Sequence, residues 1–297
     1  MPIDLLNVEK PARYMGGEMG ATTKPTASLR CALAFPDVYE VGMSHLGSRI
    51  LYAIINGMPG IAAERVYAPW PDMEAQMLHS GTILSTLESS TPLSDCDIVG
   101  FTLQYELACT NILAMLQLGG IPLRASSRNV MHPIIIAGGP GAYNPEPLAP
   151  FFDAILLGDG EEAVVEIVEA VKKWKECGAL NKEQLLEELS SIQGVYVPSF
   201  FQVRYNCQGE VQEIKAQRQG YTRVKRRYLH NLDTAPFPID PIVPFMKAIH
   251  DRVAIEIARG CTRGCRFCQA GYIYRPLRER HPDTIKKLIK QSLVASG

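Results

Sequence analysis

A chain of 297 residues, 46% hydrophobic and 21% charged, has room for two domains and the balance of a globular, water-compatible protein. Its formal net charge of -1 gives no whole-chain attraction to nucleic acid or to an anionic lipid surface. No apolar run reaches the ~20 residues that a membrane-spanning helix needs, and the N-terminus MPIDLLNVEKPARYM lacks the apolar core and cleavage site of a secretory signal. The expectation is a cytoplasmic protein with no membrane partner, in which thiols stay reduced and clustered cysteines point to metal before disulfide.

Residues 1–28 mix Gly, Thr and Pro without periodicity and read as an irregular arm laid over the surface. LRCALAF (29–35) is a short apolar run ended by Pro36 and Asp37, and Leu46, Ile50, Leu51, Ile54 and Ile55 then recur at helical spacing. The alternation repeats. AAERVYAP (62–69) precedes a helix from Asp72, and DIVGFTL (97–103) precedes one from Glu106 to Leu118. PIIIAG (133–138) is a further strand, and DAILLG (153–158) precedes a helix from Glu161 to Lys175. Strands alternating with helices predict an α/β architecture, a doubly wound, Rossmann-like parallel sheet over 29–176. In such a sheet ligands collect outside the carboxyl ends of the strands, which singles out the loops at 36–47, 102–106, 138–147 and 158–162.

Residues 177–245 read as a connector. A polar helix from Lys182 to Ser190 is followed by YVPSFFQVRY and EVQEIKAQ, which predict a hairpin turning across Asn206 to Gly209. The basic run 218–227 carries Arg218, Arg223, Lys225, Arg226 and Arg227 beside Tyr221 and Tyr228: a solvated linker face, or a contact for nucleic acid. Four prolines from Pro236 to Pro244 make a stiff, extended segment. In the last part, 246–297, VAIEIA (253–258) predicts a strand that delivers three cysteines at its carboxyl end. HPDTIKKLIKQSLVAS predicts a helix, with Pro282 at its start and Asp283 in its first turn.

Those three cysteines are Cys261, Cys265 and Cys268, at C-x3-C-x2-C spacing in one short loop. Structural zinc closes its shell with four protein ligands, and here only His250 or His281 could complete a set with the three thiols. An iron-sulfur cube held by thiolates would instead keep one iron open to a further ligand. Arg259, Arg263 and Arg266 interleave the cysteines and can offset the charge of an anionic cluster. The other five cysteines, Cys31, Cys96, Cys109, Cys177 and Cys207, are scattered, and four of them read as small buried hydrophobes.

With Phe267 before the last cysteine, this loop resembles the signature of the radical S-adenosylmethionine (SAM) enzymes. The longer run RGCTRGCRFCQAGYIYRPLRER is similar to a subgroup in which a cobalamin-binding-like domain precedes the radical SAM barrel. The resemblance implies a 4Fe-4S cluster on Cys261, Cys265 and Cys268, with SAM chelated at the open iron and its adenine against the backbone at Phe267. It also implies an electron donor of flavodoxin or ferredoxin type and a 5'-deoxyadenosyl radical acting on an unspecified substrate.

A second resemblance covers the first domain. Asp37, Tyr39 and Gly42 in a D-x-Y-x-x-G stretch, then Thr102 and the pair Gly138 and Gly139, look like the contact positions of a cobalamin-binding domain. In that family the position of Tyr39 is a histidine that binds cobalt from below. A phenol with a pKa near 10 is a poor substitute, and His45, read as part of the following helix, would need that helix to unwind. Two readings stand beside the enzyme: a non-catalytic binding module stapled by zinc or an iron-sulfur site, and an RNA-modifying role through the basic run. Because a (β/α)8 barrel takes ~250 residues, the segment from Val253 is expected to be the first β/α unit of an incomplete barrel, and the chain a fragment that does not cleave SAM alone.

Overall fold

The computed structural model describes residues 4–250 and 252–296. In chain order the elements are β1 (Leu29–Phe35), α1 (Tyr39–Met43), α2 (Leu46–Asn56), β2 (Ile61–Tyr67), α3 (Pro71–Ser80), β3 (Ile98–Thr102), α4 (Cys109–Leu118), β4 (Ile134–Gly138), β5 (Ala154–Leu156), α5 (Ala163–Glu176), α6 (Lys182–Ser191) and β6 (Val195–Tyr196). A hairpin β7 (Phe201–Tyr205) and β8 (Val211–Ala216) follows, then β9 (Ala258–Arg259), α7 (Ala270–Ile273), β10 (Arg278–Glu279) and α8 (Pro282–Ser296).

Six strands form one sheet in the order β2-β1-β3-β4-β5-β6, parallel from β2 through β5 and closed by the antiparallel β6. The chain leaves β1 for β2 on one side and returns to β3 on the other, so the topological switch lies between β1 and β3. Side chains alternate faces. Ile98 in β3 and Ile134 and Ile136 in β4 join Tyr52 and Ile55 of α2, Ile167, Val168 and Val171 of α5, and Leu185 and Leu189 of α6. Val99, Phe101, Ile135 and Ala137 face the other way, toward Met73 and Met77 of α3 and Ile112, Met115 and Leu116 of α4. A sheet covered on both faces explains why its strands are apolar throughout.

The N-terminal arm is tied in by buried polar contacts. Glu18 receives Arg65 at 2.7 Å and the Tyr39 hydroxyl at 2.9 Å, Arg13 pairs with Glu40 at 2.8 Å, and the Lys24 ammonium donates to the carbonyls of Asn56 and Ile61 at 2.6 and 2.7 Å. The proline connector lies along this arm, where the Val243 amide donates to Met19 O at 2.9 Å.

Two expectations differ from the structure. The sheet does not stop near residue 176: α6 packs with α5, and β6 pairs with β5. A two-residue antiparallel strand carries too little periodicity to read in sequence. The strand expected at 253–258 is reduced to β9, which pairs antiparallel with β10 through Ala258 with Glu279 and Arg259 with Arg278. Hydrogen bonds need a facing strand, and among the described residues this segment finds one where the chain returns at β10, with the Arg280 amide donating to Ile257 O at 2.9 Å beside the ladder. Val253 and Ile257 are exposed.

Candidate functional site

The β9–β10 ladder closes the base of the cysteine loop. Gly260 stands at φ +99°, and a Cβ there would lie 2.6 Å from both Tyr274 O and Pro276 O, so the loop leaves β9 through a position only glycine fits. The Cys268 amide donates to Cys265 O at 3.1 Å, and the Arg263 amide points at Cys261 Sγ at 3.4 Å. Gly271 of α7 lets the helix meet Arg263 O, 2.5 Å from where a Cβ would be. Cys261 and Cys268 are half-buried, Cys265 is exposed, all three are free thiols, and Phe267 is 92% exposed.

Among the described residues no group of three His, Cys, Asp or Glu side chains stands close enough to hold a single metal ion. Neither the three thiols alone nor the thiols with His250 or His281 are gathered around one point among the described residues. A four-iron cube spreads its ligands more widely than one ion does. The donor set suits it: three unpaired thiols on one accessible loop, with a backbone amide already aimed at one sulfur.

Arg259 does not face the cysteines. Its guanidinium lies 3.0 Å from Asp159, 2.6 Å from Glu161 and 2.9 Å from Glu256. Arg278, its neighbour across the ladder, pairs with the other oxygen of Asp159 and donates to Leu229 O at 3.0 Å, and Arg280 pairs with Glu256 at 3.2 Å. Three carboxylates thus meet three guanidiniums at the seam between the loop after β5 and the base of the cysteine loop. Burial pushes the Asp159 carboxyl up, but Arg259, the Leu229 amide and Arg278 together hold it below the usual carboxylate range. Burial lowers Arg259, and Glu161, Asp159 and Glu256 more than reverse it, so its charge is fixed.

A cavity of about 460 Å³ lies between the sheet and helices α2 and α5 and ends under this seam, lined by Thr102, Gly138, Gly139, Asp159, Arg259 and Gly260 among others. The positions singled out by the cobalamin resemblance divide. Thr102, Gly138 and Gly139 line the cavity. Asp37 instead accepts from the Val38 amide at 2.7 Å and the Tyr105 hydroxyl at 2.6 Å. Gly42 packs under Tyr67, where a Cβ would come within 2.2 Å of the ring.

Tyr39 is 1% exposed, stacked edge-on against Tyr67 and bonded to Glu18. Burial, then the Glu18 charge, raises its hydroxyl pKa. His45 is the residue that sequence reasoning placed wrongly. It caps α2 from outside the helix, its Nδ1 accepting from the Ser48 amide at 3.0 Å, and it lines the cavity without any unwinding. A histidine just before an apolar helical run was the available signal, since caps precede the periodic residues. Burial lowers its pKa to about 4 despite a hydrogen bond with Gln104. Tyr39, buried and tied to Glu18, does not fit the place of a residue that holds a corrinoid's cobalt from below.

The basic run is only partly free. Arg218 pairs with Glu183 and stacks over Phe200, and Arg226 donates to the Tyr143 hydroxyl at 2.8 Å and to Ile273 O. Arg227 pairs with Glu162 at 2.7 Å and Glu166 at 2.6 Å. Arg223 and Lys225 remain exposed. Of the remaining cysteines, two rather than the expected four are buried, Cys31 and Cys96, with Cys96 pushed up to about 12, which makes them inert, whereas Cys109 is half-buried and Cys177 and Cys207 are exposed. No helix among the described residues is long and apolar enough to cross a membrane.

Fold and site together define an α/β protein with a cavity against one face of its sheet and a three-cysteine loop whose base lines one end of that cavity. Residues 47–198, just over half of the chain, match the family described as radical SAM proteins, N-terminal, and the chain belongs to that family. The match ends before the cysteine loop. The uncharacterized protein MJ0966 of Methanocaldococcus jannaschii is 27% identical over 210 residues, which is 70% of this chain and 37% of the relative. The chain thus spans well under half the length of that curated relative.

Proposed function

We propose that this chain belongs to a radical SAM enzyme in which Cys261, Cys265 and Cys268 hold a 4Fe-4S cluster and the backbone at Phe267 meets the adenine of SAM. The observation that carries the reading is the placement of three free thiols on one accessible loop whose base is latched, through Arg259 and Arg278, onto the loop after β5 in the family-matched sheet. Such a cluster, reduced by a donor of flavodoxin or ferredoxin type, would supply the electron that cleaves SAM to a 5'-deoxyadenosyl radical.

The chain's own residues contribute position and charge. Gly260 and the β9–β10 ladder set the exit of the loop, and Arg263 and Arg266, exposed beside the thiols, offset negative charge. Asp159 fixes both Arg259 and Arg278. The rival, a metal acting only as a staple, is disfavoured because the loop base is already closed by the ladder and its ion pairs.

The test is anaerobic reconstitution of the longest natural form of the protein with iron and sulfide, reduction with dithionite, and electron paramagnetic resonance with and without SAM. The reading predicts a reduced-cluster signal whose g-values change when SAM is added. A signal indifferent to SAM would leave a cluster that does not bind it and refute the enzymatic reading.

A further inference from the structure

The cavity under the cysteine loop has features that the cluster reading does not use. Its floor lies on β3 and β4, where alternation turns Ile98, Gly100 and Thr102, and Ile134, Ile136 and Gly138, to one face. Gly100 sits in mid-strand. A Cβ built there meets nothing nearer than Ala32 O at 3.9 Å, and one at Gly138 nothing nearer than 3.8 Å. Neither glycine is at positive φ, so backbone geometry does not require them. A mid-strand glycine weakens its strand and marks a place where something approaches the backbone closely.

The walls are aliphatic, from Ile50 and Leu51 of α2 and Val164 and Ile167 of α5. The volume of about 460 Å³ falls within the range of small-molecule sites, ~300–1,000 Å³. Polar groups stand at two places. At one, His45 and Gln104 are hydrogen-bonded to each other; the His45 Nδ1 accepts from the Ser48 amide, which leaves the proton of the neutral ring on Nε2, and the Gln104 amide keeps further hydrogen-bonding capacity for a ligand. At the seam, Asp159, Glu161, Glu256 and Arg259 are already joined in ion pairs, so an ionic ligand would find no unengaged counter-charge among these lining residues. The space left open beside Gly100 and Gly138, between the sheet face and two helices, lets a ring approach the backbone of the sheet closely.

We propose that this cavity binds a small, uncharged, planar ring compound with a hydrogen-bonding edge, smaller than a corrinoid, with Arg259 and Gly260 of the cysteine-loop base at one end of the site. The site stands on the sheet and its helices and does not depend on a cluster being present. Because Gly260 adjoins Cys261, the bound molecule lies against the segment that carries the thiols.

The experiment is a fluorescence titration of the full chain with N-phenyl-1-naphthylamine, a neutral ring probe that brightens in apolar surroundings. The expected result is saturable binding of one probe per chain, weakened at least tenfold in Gly100→Leu, whose side chain fills the space, with an unchanged circular dichroism spectrum. Val164→Trp fills the same space from α5, and should weaken binding similarly if Gly100→Leu fails to fold. The proposal is overturned by absence of saturable binding or by unchanged affinity in a folded variant. It is equally overturned if the anionic analogue 1-anilinonaphthalene-8-sulfonate binds as tightly, or if one hydroxocobalamin per chain survives gel filtration and displaces the probe.

Discussion

Asp159 holds Arg259 and Arg278 with its two carboxylate oxygens, Arg259 at 3.0 Å, and so ties both strands of the ladder beneath the cysteine loop to the loop after β5. The carboxylate is buried and also accepts from the Leu229 amide at 2.8 Å. Removing one partner of a buried ion pair leaves the others desolvated without compensation, typically at about 3–5 kcal/mol. Asp159→Ala should therefore lower stability by roughly that amount, read as a shift in the urea midpoint. Since its folded pKa is depressed, the contribution is present above the unfolded value near 3.9 and is lost as pH falls through the lower folded value.

His45 makes a separate pH prediction. Its folded pKa of about 4 lies below the unfolded ~6.5, so the unfolded chain binds the extra proton first. Stability from this group is full above pH ~6.5, declines as pH falls toward 4 and is flat below. The difference should be on the order of 2 kcal/mol for a partly screened ring. His45→Asn keeps a capping side chain on α2 and should abolish that part of the slope between pH 6.5 and 4. An unchanged slope in the variant would contradict the burial of the ring.

Two glycines at positive φ separate backbone strain from collision. Gly158, at φ +118°, faces Arg227 O with only 1.9 Å to a built Cβ, whereas Gly81, at φ +71°, has nothing within 4 Å. Gly81→Ala should cost about 1–2 kcal/mol from the left-handed conformation alone. Gly158→Ala should cost at least ~3 kcal/mol, because the parallel bridge with Arg227 must also open. Thermal denaturation of the two variants gives the comparison directly.

Much of the sheet was legible because its strands are apolar runs punctuated by Pro, Gly and Asp, and its helices carry 3.6-residue periodicity. The hairpin was legible too, since Asn206 caps its own turn by accepting from the Gln208 and Glu210 amides. The site was less so. VAIEIA has the composition of a strand, but pairing needs a facing edge, and among the described residues the ladder takes in Ala258 and Arg259. The charge of Arg259, Arg226 and Arg227 suggested a cluster or nucleic acid. Their partners, Asp159, Glu161, Tyr143, Glu162 and Glu166, are about 60 to 100 residues away in sequence, beyond any local pattern.

The central claim is that Cys261, Cys265 and Cys268 together hold a 4Fe-4S cluster, and it is tested most directly by iron and sulfide content after anaerobic reconstitution. The account predicts about four irons and four sulfides per chain, lost on Cys265→Ala and on either companion substitution but retained in Cys31→Ala, whose thiol is buried in the sheet. Full iron content in Cys265→Ala, or one zinc per chain in place of the iron, would contradict it.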